Sequence, residues 1–194
     1  MGRLIRSNGF EAPRSSRIVD RRPRLPFRSV NRIGQPGYQP GMQRHHLLPR
    51  QLLSQQCFGR LFDAVGLEYL AIDDFRRNGL LLPANDPAAL RTRLPLHRGP
   101  HRSYNGMVVD RVGQIEGDWA RLRQQAPEIA IDQALMRLDL LQRALRRGLL
   151  RPDGTRLKLN RGDPLGAGAD FTALDAMADT LWGETSEILP ADAG

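Results

Sequence analysis

Cysteine is nearly missing from this chain: Cys57 stands alone among 194 residues. An intramolecular disulfide is therefore excluded, and so is a cysteine-based zinc cluster, since each needs at least two thiols. Any metal the chain holds has to be held by His, Asp, Glu or Asn. Lysine is as scarce, with Lys158 the sole example, so the positive charge is carried by arginine. Long apolar runs are absent too. No stretch approaches the roughly 18 apolar residues of a membrane-spanning helix. The opening residues 1–10 are basic but lack the apolar segment of a standard secretory signal, and Arg6 stands where a myristoylation motif wants Ser or Thr. The cytoplasm is the default expectation for location, with a membrane partner excluded.

What is present begins with charge. The formal net charge is +8. Residues 1–46 hold ten arginines against two acids, whereas residues 47–194 hold equal numbers of basic and acidic groups. The whole excess therefore belongs to an N-terminal arm. Arginine forks pair with phosphate oxygens two bonds at a time, so an arginine-rich arm suits a polyanion such as nucleic acid. A merely solvated arm is the plainer reading of the same composition.

The chain divides into four parts: a flexible arm over 1–41, a core over 42–126, a helical extension over 127–162, and an acidic segment over 163–194 with seven acids and no basic residue. The pattern predicts short strands at 42–49 and 78–83, each closed by a proline, which are able to pair. Between them a helix is predicted over 50–65, with Leu53, Cys57 and Leu61 on its buried stripe and Gly66 as its stop. A loop with one helical turn is expected over 84–96. A long helix is expected from near Gly99, because Tyr104, Val108, Val112, Ile115, Trp119 and Leu122 recur at helical spacing. Pro127 breaks it, and a second helix follows over 128–147, stopped by Gly148. Residues 157–159 are a candidate strand, and 171–182 a candidate helix. Asn78-Gly79 has the chemistry of a hairpin turn.

Four histidines concentrate the chemistry: His45, His46, His97 and His101. On a helix, His97 and His101 would point two imidazoles at one ion. In a strand, the rings of His45 and His46 leave on opposite faces, so one joins the metal and the other does something else nearby. Three neutral imidazoles leave an ion its full charge and open positions, the arrangement of a catalytic centre. A fourth imidazole near a neutral pKa is suited to taking a proton from an attacking water.

The stretches GMQRHHLLP, RRNGLLLP and LHRGPHRSYN, in this order, resemble the AHH branch of the HNH, or ββα-metal (His-Me finger), endonucleases. The likeness runs from about Gly41 to Ile115. It implies a mostly helical α+β fold in which a short β-hairpin and a helix form the finger. It implies His45, His97 and His101 as ligands of one divalent ion, Zn, Ni, Mg or Mn, and His46 as the general base. Asn78 would orient the base or brace the metal loop. Arg44, Arg98, Arg102 and Tyr104 are candidate nucleic-acid contacts, Tyr104 with packing as its competing role. One departure is visible: the position before the pair, Ala in this branch, is Arg44.

The expected activity is metal-dependent hydrolysis of nucleic-acid phosphodiesters, DNA before RNA. The resemblance further implies 5′-phosphate and 3′-hydroxyl products, little sequence preference, and association with bacterial toxins held off by an acidic immunity protein. A toxin of this kind would leave the cell without a standard signal. The competing class is a nucleic-acid-binding module whose ion is only structural.

Overall fold

The computed structural model describes residues 22–152 and 156–165. Strands β1 (Met42–His46) and β2 (Gly79–Pro83) pair antiparallel, with His45 opposite Leu80 and His46 opposite Gly79. Between them lie two 3-10 turns, Arg50–Ser54 and Gln56–Phe58, and three short helices: α1 (Gly59–Val65), α2 (Leu67–Leu70) and α3 (Phe75–Asn78). After β2 come α4 (Asp86–Thr92), α5 (Arg102–Leu122) and α6 (Pro127–Leu150). The fold is α+β and mostly helical, as the resemblance implies.

Helices α5 and α6 form a hairpin that carries the core. Tyr104, Val108, Val112, Ile115 and Trp119 are all buried along one face of α5. Pro127 opens α6 at a position where a backbone donor would have no partner, so its ring starts the helix at no cost. Ala130, Ala134, Leu138, Leu141 and Leu145 then line the facing side of α6. Leu80 and Leu82 of β2, with Leu47 and Leu48 just beyond β1, join the same cluster. Each leucine so enclosed contributes on the order of 1.5–3 kcal/mol, which fixes the sheet on the hairpin. Among the described residues no helix is long and apolar enough to cross a membrane.

Several expectations need correction. The two strands pair as expected, with residues 47–78 between them, but Gly79 has an extended backbone (φ −120°), so Asn78-Gly79 is a helix end and not a hairpin turn. The helix predicted over 50–65 forms only from Gly59; the preceding 3-10 turns shift the phase of the stripe and leave Cys57 and Leu53 exposed. Gly148 does not stop α6. It is buried inside the last turn, where its carbonyl accepts from the Leu157 amide. Residues 157–159 pass the core without joining a sheet. The described part of the arm packs against the core: the Phe75 amide donates to the Leu25 carbonyl (2.7 Å), and Pro26 forms a bridge with Asp74. The candidate helix over 171–182, most of the acidic segment and the first 21 residues lie outside the described residues.

Candidate metal centre

Strand alternation divides the histidine pair. His45 points inward and is 4% exposed; His46 points the other way and is half-buried. His97 and His101 reach His45 from a loop, which corrects the helical expectation. Gly99 takes a left-handed backbone (φ +79°) that an L side chain rarely adopts. Pro100 further disfavours a helical residue before it. Helix α5 therefore starts only at Arg102, with His101 as the residue that precedes its first turn. The start of the loop is fixed by the His97 amide, which donates to the Pro83 carbonyl at the end of β2 (2.6 Å).

Together the loop and strand bring His45, His97 and His101 to one point. One ring nitrogen from each lies within 4.8 Å of the others. The His45 ring stands edge-on to both partners, with centroids 4.9 Å and 5.6 Å away. His45 Nε2 and His97 Nδ1 are enclosed and have no hydrogen-bond partner. A buried polar atom left so costs about 1–3 kcal/mol, and a shared cation would satisfy both. Burial, reinforced by the other rings, pushes the His45 pKa down to about 2; burial, then His101, pushes His97 down to about 4. Both rings are therefore neutral with free lone pairs at pH 7. The nitrogen donors fit a divalent ion of the zinc or nickel kind.

His101 receives outside support. Its Nδ1 faces the Leu159 carbonyl (3.3 Å), an orientation that leaves Nε2 to ligate. Burial lowers its pKa, and this contact opposes the shift. Leu159 belongs to a strap over 156–165 that fastens the loop. Asn160 donates to the Arg98 carbonyl, and the Asp163 carboxylate accepts from the Leu96 amide (3.2 Å). Asp163 thus belongs to the fold rather than to a free acidic tail, and Arg156 lies 4.0 Å from it in an enclosed pair.

His46 occupies different surroundings. The Phe27 ring lies flat against it, with centroids 3.6 Å apart and planes 4° from parallel. Burial lowers the His46 pKa; Asp73 nearby raises it, and Arg50 and Arg44 lower it further. Its Nε2 is enclosed without a partner. The Asn78 side chain does not bond His46. It is fully buried, accepts from the Leu48 amide (2.7 Å), and donates to the carbonyls of Leu48 and Ile72 (3.0 Å each). Asn78 therefore braces the chain leaving β1. Gln142 of α6 holds it from behind, donating to Asn78 Oδ1 (3.3 Å) and the Leu70 carbonyl (3.1 Å).

The four candidate nucleic-acid contacts separate. Tyr104 is 1% exposed and its hydroxyl donates to the Leu47 carbonyl (2.7 Å), so it packs behind His45 and cannot meet a phosphate. Arg44, Arg98 and Arg102 are exposed beside the histidines. Arg44 donates to the Phe27 carbonyl (2.9 Å), and Arg98 lies 3.6 Å from Asp86. Phe27, Gln142 and the strap were not singled out in the sequence. Each meets the site from far along the chain, and the one local pattern among them, the candidate strand over 157–159, does not point to the site.

Residues 26–145 match the family model described as AHH, a nuclease family of the HNH/ENDO VII superfamily with conserved AHH. Neither a curated protein nor a solved structure matches the chain.

Proposed function

The chain belongs to the AHH nuclease family of the HNH/ENDO VII superfamily, and from that premise we propose that it is a metal-dependent endonuclease that hydrolyses phosphodiester bonds, DNA in the first place. The observation that carries this reading is the meeting of three neutral imidazoles within 4.8 Å, with a fourth on the opposite face of the same strand. His45, His97 and His101 hold the ion. Bound there, a divalent ion supplies positive charge to the scissile phosphate and the leaving oxygen. The all-imidazole set favours zinc or nickel over magnesium, which prefers oxygen ligands.

His46 is the general base. Its lowered pKa keeps the ring neutral at pH 7, with a lone pair to accept a proton from the attacking water. Since Nε2 is enclosed, Nδ1 is the nitrogen that takes this proton. Asn78 keeps the end of β1 in place without touching the proton. Arg44, Arg98 and Arg102 hold flanking phosphates, and the arginine-rich arm adds salt-sensitive affinity. The products carry 5′-phosphate and 3′-hydroxyl ends. An interbacterial toxin restrained by an acidic immunity protein is the biological setting we assign to this activity. The arginine excess gives such a partner a surface, and growth arrest on expression, relieved by His46→Ala, checks it.

The direct test incubates plasmid DNA and a structured RNA with wild type and with His46→Ala, each supplied in turn with Zn²⁺, Ni²⁺, Mn²⁺ and Mg²⁺. Wild type cuts DNA, and His46→Ala is slower by roughly 10²- to 10⁴-fold with its metal retained. Intact DNA and RNA under every ion, with metal bound, would reduce the protein to a binding module.

A further inference from the structure

The family's alanine before the histidine pair is here Arg44, and its guanidinium reaches out of the sheet to the carbonyl of Phe27 (2.9 Å). Phe27 begins a single 3-10 turn (Phe27–Ser29), closed by bonds from the Ser29 and Val30 amides to the carbonyls of Pro26 and Phe27. The turn is attached to the core by its flanks. The Leu25 amide donates to the Asp74 carboxylate (3.2 Å), Pro26 bridges to Asp74, and Phe75 meets the Phe27 ring edge-on at 5.1 Å. Phe75 has room for this only because residue 79 is glycine: a Cβ there would lie 2.3 Å from the Phe75 ring. The outcome of these contacts is the flat stack of Phe27 on His46.

We infer that Phe27 is a positioning residue for the general base, and that Arg44 is the tether that holds it there. The inference rests on the reading of His46 as that base. A strand histidine with no hydrogen bond to its ring is free to turn about its last side-chain bond. A parallel ring at 3.6 Å removes that freedom, since any rotation drives one edge of the imidazole into the phenyl face. His46 Nε2 is enclosed without a partner, so Nδ1 is the nitrogen that the stack would orient toward the reaction. Ordering the base before substrate arrives lowers the entropy cost of proton transfer. Arginine in place of alanine then has a stated use: it joins β1 to a turn that precedes it by some fifteen residues.

The test uses the full chain loaded with metal. In wild type, NMR of the ring protons of His46 shows an upfield displacement from the stacked phenyl. That displacement disappears in Phe27→Ala and shrinks in Arg44→Ala. In cleavage, Phe27→Ala lowers kcat roughly 10- to 100-fold, with KM and bound metal unchanged, and Phe27→Tyr, which keeps a flat ring, restores most of the rate. The inference is overturned if the wild-type His46 signals are undisplaced, if Phe27→Ala cleaves at the wild-type rate, or if it cleaves faster, as a lid would require. Unchanged His46 signals in Arg44→Ala overturn the tether. Should Phe27→Ala fail to fold, the wild-type signals and the rate of Phe27→Leu, which fills the space without a ring and should be slow, decide the matter. Cleavage by His46→Ala at the wild-type rate would instead remove the base assignment while the displaced signals still reported the stack.

Discussion

The two faces of strand β1 carry opposite kinds of histidine. On the inner face, His45 is 4% exposed, meets two other imidazoles, and is backed by the buried ring of Tyr104. On the outer face, His46 is half-buried, lies against Phe27, and feels Asp73, Arg50 and Arg44. One residue of separation is enough because successive strand side chains leave on opposite sides. The inner face has no formal charge of its own and two buried lone pairs without partners, which suits a cation. The outer face has guanidinium groups and access to solvent, which suits a phosphate and a water. Strand alternation thus gives two identical neighbours different surroundings, which is why we propose one as a ligand and the other as the base.

Substitutions that remove one face should leave the other intact, and the largest effect is expected on the inner one. His101→Ala should weaken metal binding by more than the roughly 10- to 100-fold that loss of an outer partner costs, measured by competition with a chromogenic chelator. Folding should survive, because His101 is only half-buried. An affinity that stays within a few-fold of wild type would mean that its ring is no ligand.

Asn78 holds the chain just beyond β1, the strand that carries both histidines, so its loss should damage both. Asn78→Ala removes bonds to the backbone of Leu48 and Ile72 in a dry setting. The groups left without partners should cost about 3 kcal/mol, read as a lower urea midpoint at constant slope. A loss below about 1 kcal/mol would show that water enters to replace the amide.

The loop that brings His97 to His101 depends on a left-handed residue with open space around it. Gly99→Ala should therefore cost only the backbone term, about 1–2 kcal/mol, and it should appear in metal affinity more than in stability. Equal loss in both would mean that the loop is part of the core. The smallest effect belongs to Tyr104→Phe, which gives up one bond to the Leu47 carbonyl. About 1 kcal/mol of stability should be lost, with no change in DNA affinity at any salt concentration. A weaker, salt-dependent affinity would restore Tyr104 as a phosphate contact.

Much of this was legible from spacing. The stripe on α5 lies where periodicity put it, and both strands fall inside the stretches read for them, although β1 ends at His46, before Pro49. The relation of His97 to His101 was legible in outcome but not in cause. A four-residue interval suits a helix, yet Gly99-Pro100 turns the chain first, and the two rings meet from a loop. Cys57 was misplaced because two 3-10 turns, with three residues per turn, put the stripe out of phase before α1 begins. Phe27 and Gln142 carry no pattern that points to the site, and Leu159 reads only as part of a candidate strand. They reach the site through packing between segments far apart in sequence, which a single chain read by period does not reveal.

The claim that matters most is that neighbouring histidines have separate duties, and metal content measured in parallel addresses it most directly. Wild type, His45→Ala and His46→Ala would each be dialysed to equilibrium against zinc and assayed for bound metal and plasmid cleavage. One ion per chain is expected in wild type and in His46→Ala, none in His45→Ala, and cleavage by wild type alone. Equal metal in the two variants, whether both full or both empty, would contradict it.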